Sequence, residues 1–180
     1  AVAPLPGEAT EENNQTSRTV KISEEKIRVL YVEGKPRWEY RYVKNSLIRE
    51  KTVTLSVMLF SADEWFAQEG TPGAAITRLP ASPEEWARYD VILMGDINPQ
   101  LDLTVEQMEQ IERFVRERAG GFALIAGERF APQRFANTPL ARLLPVEIDP
   151  LAGPDRLNRS TGFSMRLTDD GRASPILRFE

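Results

Sequence analysis

The chain has 180 residues, 41% hydrophobic and 28% charged, with a net charge of −4. That composition suits a globular domain with an appendage, long enough to bury a core, and it gives no general attraction for nucleic acid or an anionic membrane surface. Neither cysteine nor histidine occurs, which excludes disulfides, thiolate nucleophiles, zinc–thiolate sites and imidazole bases within the chain.

In chain order, residues 1–26 are rich in Pro, Glu, Asn and Thr and lack an apolar period. They predict a flexible arm or linker, with 19–22 able to pair as an edge strand. The run Val29-Leu30-Tyr31-Val32 stops at Glu33-Gly34 and predicts a first strand over 27–33. Pro36 suits the first position of the following helix, where a missing N–H costs nothing. That helix carries Tyr40, Val43 and Leu47 at core-like spacing and leaves Arg37, Arg41 and Lys44 on another face.

A second strand is expected over 52–60, a mostly apolar run with β-branched residues. Gly70, Pro72, Gly73 and Pro80 make 61–83 a long loop. A short helix over 83–89 leads into a buried-strand signal, DVILMG, over 90–95. Thr104 and Gln107 have capping-box spacing, and Met108, Ile111 and Val115 recur behind them on one helical face that ends at Gly120-Gly121. A fourth strand over 122–126 is closed by Gly127, and a short helix over 138–144 is stopped by Pro145. Pro150, Gly153 and Pro154 then mark a break. Beyond it, 163–168 and 176–179 predict short strands around a turn at 169–171, and a strand pattern reaching the last residue predicts a continuation.

Four strands alternating with helices predict an α/β three-layer sandwich of flavodoxin-like type, a mostly parallel sheet in the order 2-1-3-4. The domain spans 27–150, with 151–180 as its C-terminal β extension. No apolar run approaches the ~20 residues needed to span a bilayer.

In such a sheet the carboxyl ends of strands 1, 3 and 4 meet at one rim, here presenting Glu33, Asp96 and Glu128 with Arg37 and Arg129 nearby. Three carboxylates could hold a hard cation through oxygen ligands. Equally, they could cap helices and pair with the arginines. The turn EGKPR has one glycine, an acid at its head and a proline in place of a donor, so it does not suit a phosphate. No GxSxG elbow is present, and nothing in the sequence pairs Ser61 with a lysine. Trp38 and Tyr42 lie four residues apart. They either stack on one exposed helix face and meet a partner, or pack under a loop while the arginines pair with Glu33 and Glu39.

The strand-VEGKPRWEYRYVKN-helix unit, then YDVILMGDINP, a helix and GGFALIAGERF, resemble the glutamine amidotransferase-like domain of large bacterial membrane-anchored proteins. Such proteins also carry a von Willebrand factor A domain and an aerotolerance-type membrane segment. The resemblance covers about 27–179, and PRWEYRY is its most specific part. Class I amidotransferases place a catalytic cysteine on a strand-to-helix elbow, which corresponds here to Ala126-Gly127-Glu128, and no cysteine stands there. The resemblance therefore implies a scaffold without glutamine hydrolysis, serving binding or assembly. It also implies no cofactor, an extracytoplasmic placement, and partners that are other domains of the parent chain or another protein. Glu33, Lys35, Arg37, Trp38, Arg41, Asp96, Glu128 and Arg129 are the expected interaction surface, with no catalytic residue among them. The alternative is a hydrolase working through Glu33, Asp96 and Glu128, with or without a divalent cation. A flavin binder is the weakest reading, because a phosphate loop is missing.

Overall fold

Strand β1, Ile27–Glu33, buries both of its faces in the computed structural model, which describes residues 25–63, 65–146, 148 and 169–173. Val29 and Tyr31 join one apolar cluster, and Leu30 and Val32 join another. A near-continuous apolar run is what a central strand of a covered parallel sheet requires, since successive side chains point to opposite faces. β2, Val53–Leu59, lies parallel to β1 on one side, in the register Ile27 opposite Val53. β3, Val91–Met94, flanks it on the other, and β4, Gly121–Leu124, follows β3. The order β2-β1-β3-β4, all parallel, is the flavodoxin-like arrangement that the alternating elements predict.

Helices cover the sheet from both sides. α1, Trp38–Arg49, buries Tyr40 against Tyr31, Leu55 and Val57. Next in the chain come α2, Pro83–Trp86, the short α3, Pro99–Asp102, and α4, Val105–Arg118. On the face opposite α1, α2 and α4 bring Trp86, Met108, Ile111 and Phe114 onto Leu30, Val32, Ile92 and Met94. The capping box at the start of α4 forms: Thr104 Oγ1 accepts from the Gln107 N–H at 3.1 Å, and Gln107 Oε1 accepts from the Thr104 N–H at 3.0 Å.

The outer edge of β2 is closed by the loop after it. Gln68 bonds both backbone groups of Leu59, Thr71 Oγ1 accepts from the Leu55 N–H, and Gly70 bridges to Ser56. Covering an edge strand in this way removes a template for aggregation. The far end of the loop is held by Arg78, whose guanidinium reaches both carboxylate oxygens of Glu85 at 2.8 and 2.7 Å. That pairing, followed by the Ala81 N–H, pulls the Glu85 pKa down to about 2 from an ordinary 4.5. A depressed folded value stabilises the protein above pH ~4.5, and the contribution is lost as pH falls towards ~2. Thermal melts from pH 6 to 2 are therefore expected to fall less steeply for Glu85→Gln than for the unaltered chain. Parallel curves would show that the pair contributes nothing.

Several elements depart from the sequence expectation. Pro36 stands ahead of α1, and Arg37 is its extended N-cap residue, because the Arg37 guanidinium is drawn to the strand ends. Lys44 is buried rather than on the outer face. Its Nζ reaches Glu69, which also accepts from the Tyr40 hydroxyl. Ala119, in the left-handed region at φ 53°, ends α4 in place of Gly120. Gly120 is needed for another reason: a Cβ there would lie 2.2 Å from the Phe114 ring. The helix α3 was not expected; the Asn98 side chain caps it by accepting from the Gln100 N–H. The helices expected over 83–89 and 138–144 shorten to α2 and to a 3-10 segment, Pro139–Leu143. The turn expected at 169–171 falls within a short helix, α5, Asp169–Ala173. Of the arm expected over 1–26, residues 1–24 lie outside the described residues, as do the strands expected over 163–168 and 176–179.

Candidate functional site

An open α/β sheet offers its ligand crevice at the carboxyl ends of the strands where the strand order reverses. Here that point lies between β1 and β3, and the protein fills it with its own side chains. Glu33, the last residue of β1, is fully buried. Its Oε1 accepts from the N–H groups of Gly34 at 3.0 Å and Asp96 at 2.8 Å. Its Oε2 accepts from Arg37 Nε at 3.0 Å and the Tyr31 hydroxyl at 3.2 Å. Arg37 then reaches across β3 to β4, donating to the carbonyls of Ala126 at 2.8 Å and Ile125 at 2.9 Å. Burial above all, and then the Glu33 charge, raise the Tyr31 pKa far above its usual value, so the hydroxyl stays a donor.

Asp96, just past β3, organises the loop that follows β4. Oδ1 accepts from Phe130 and Ala131 at 2.8 Å each, and Oδ2 accepts from Arg129 at 3.0 Å, all through backbone N–H groups. Such an acid acts as an anchor for a loop backbone, a role that a charge-assisted acceptor fills well.

The glycines of this rim serve close approach. A Cβ on Gly95 would lie 2.1 Å from Glu33 Oε2, one on Gly127 2.3 Å from Asp96 Cγ, and one on Gly34 2.4 Å from the Asp96 carbonyl oxygen. Each strand end thus pairs a glycine with an adjacent acid: Glu33-Gly34, Gly95-Asp96 and Gly127-Glu128. That adjacency was the sequence signal for a packed rim, and only the distances reveal its meaning.

The three acids, for which joint cation binding and separate capping or arginine pairing were both open, are separated by what they bind. Glu33 and Asp96 are buried and committed to donors, whereas Glu128 and its neighbour Arg129 are exposed. Among the described residues no group of three or more His, Cys, Asp or Glu is placed to hold a metal ion. Ala126-Gly127-Glu128 lies in the loop around Asp96, and the next helical element is a 3-10 turn at Gln133–Phe135. Concavities among the described residues lie away from the rim, for example beside Trp86 and Gln110 between α2 and α4, and beside Asn137 and Leu144.

Apart from the exposed Glu128, the rim presents an aromatic and basic ledge at the start of α1, beside Glu39. Trp38 and Tyr42 are each 67% exposed. Their rings stack at 6.1 Å between centroids with planes 24° apart, and the Arg41 guanidinium lies 5.4 Å from the Trp38 ring centroid. Both sequence alternatives are thus partly realised: the aromatics stack in the open, while Arg37 pairs with Glu33 at 3.0 Å and Glu39 at 3.7 Å. Lys35 is exposed in the turn before them.

Comparison of the chain with protein-family models, with curated proteins and with solved structures returns no match. The geometry of the rim and the resemblance carried by its sequence motifs are therefore the basis for assigning a role. Among the described residues no helix is long and apolar enough to cross a membrane.

Proposed function

We propose that this chain is a non-catalytic, glutamine amidotransferase-like module of a membrane-anchored, multidomain bacterial protein, and that it acts in binding or assembly. The observation that carries the reading is the plugged crevice. Where an enzyme of this architecture would hold substrate, Arg37 links Glu33 to the backbone of Ile125 and Ala126. General acid–base work needs a group within hydrogen-bonding reach of a substrate proton, and the lone pairs of Glu33 face four donors of the protein itself. The same commitment weakens the carboxylate-hydrolase alternative. The parent architecture and an extracytoplasmic placement rest on the resemblance of the PRWEYRY and DVILMGD segments.

Purified protein incubated with glutamine, with and without Mg²⁺, is expected to release ammonia no faster than buffer does. Turnover that rises with protein concentration and survives repurification would overturn the proposal. Saturable Mg²⁺-dependent hydrolysis of an ester or glycoside, abolished by Glu33→Gln, would favour the alternative.

A further inference from the structure

We infer that the ledge formed by Trp38, Arg41 and Tyr42 docks an acidic segment of a partner protein. This inference rests on the proposal that the module binds rather than catalyses, and it names the surface and the chemistry of the partner. Trp, Tyr and Arg dominate the binding energy of protein interfaces, because large rigid rings bury much surface for little lost side-chain freedom. Here an aromatic pair one helical turn apart lies open to solvent, with a guanidinium against the Trp38 ring.

The charges decide the sign of the partner. Two cations flanking the ledge are satisfied internally: Arg37 by Glu33, and Lys44 by Glu69. Glu39, the acid nearest the ledge in sequence, lies 3.7 Å from Arg37 with its side chain 55% exposed, so it offsets one cation of this surface. Arg41 and Lys35 remain at this end of α1, and among the described residues neither forms an ion pair with another. A partner carboxylate would pair with Arg41 while an apolar or proline side chain covers the Trp38 and Tyr42 rings. A guanidinium favours carboxylate recognition through paired donors. Two cations on a chain of net charge −4 are a poor attraction for a polyanion or an anionic bilayer, whose binding scales with the number of basic contacts.

The test is selection of random 12-residue peptides displayed on phage against the 180-residue chain, followed by titration of the enriched peptides. Enriched sequences are expected to be acidic, to lose about tenfold in affinity on Trp38→Ala, and to lose at least as much on Arg41→Glu. Their binding should tighten when salt is lowered from ~150 to ~20 mM. Because both residues are exposed, the melting temperature of each variant should stay within about 4 °C of the parent, and Tyr42→Ala supplies a second variant of the same surface. A neutral or basic consensus, or acidic peptides that bind Trp38→Ala and Tyr42→Ala undiminished, would overturn the inference. So would Trp38-dependent binding of phosphatidylserine vesicles or a single-stranded oligonucleotide in place of the peptides. Any of these results leaves the non-catalytic reading standing, whereas ammonia release from glutamine strikes that reading and, with it, the inference that rests on it.

Discussion

Arg37→Ala is expected to lower the unfolding free energy by about 3–5 kcal/mol, read from the midpoint of a urea titration. The side chain does two jobs at once. It is the cation paired with the fully buried Glu33 carboxylate, and it ties two β4-end carbonyls to the end of β1. Removing one partner of a buried pair leaves the other charged in a poorly solvating site, which costs far more than the pair itself contributes. The double variant Arg37→Ala with Glu33→Gln is expected to recover part of the loss. It removes the stranded charge, while the amide oxygen that replaces the carboxylate can still accept from the Gly34 and Asp96 N–H groups. Arg37→Lys should fall between, since an ammonium restores the charge but not the forked geometry. A loss below about 1 kcal/mol for Arg37→Ala would mean that water reaches Glu33, and the plugged-crevice argument would fall with it.

Asp96→Ala is expected to cost roughly 3 kcal/mol and to loosen one segment more than the rest. Three backbone donors, on Arg129, Phe130 and Ala131, lose their acceptor together, and each such group left unpaired costs about 1–3 kcal/mol when buried. Two of the three are only partly buried, which places the sum near the lower end. Amide hydrogen exchange should accelerate at those residues, while the Asp96 N–H itself stays protected, because its bond to Glu33 is made by the backbone. Asp96→Asn does not rescue the site fully, because its amide group turns a donor towards donors. Unchanged protection at Phe130 and Ala131 would show that the loop holds its shape without the carboxylate. The Arg37 and Asp96 effects should not add, since both residues bond to Glu33 or to the loop that closes over it.

The two sites show how far a single sequence carries. Glu33, Asp96, Arg37 and Trp38 were all legible as rim residues, because an apolar run followed by an acid and a glycine marks a strand end. Their roles were not. Two identical-looking acids, Glu33 and Glu128, end in opposite environments, one fully buried and one exposed. Lys44 read as a surface cation and is buried against Tyr40 and Glu69, because its partner sits 25 residues away in a loop without periodicity. Arg37 read as part of an exposed face, and its carbonyl partners lie 88 and 89 residues distant.

The order and kind of the main elements, then, were set by local pattern. The central position of β1 was implied by an apolar run with no polar face, and the start of α4 by the Thr104–Gln107 box. The missing cysteine and histidine barred thiolate and imidazole chemistry outright. These are matters of side-chain period, cap chemistry and composition, and they can be read residue by residue. It took the folded arrangement to show that the rim is closed and that the outward surface is the Trp38–Arg41–Tyr42 ledge. Which donor meets which carboxylate depends on distances of about 3 Å between strand ends remote in sequence, and no local pattern encodes those.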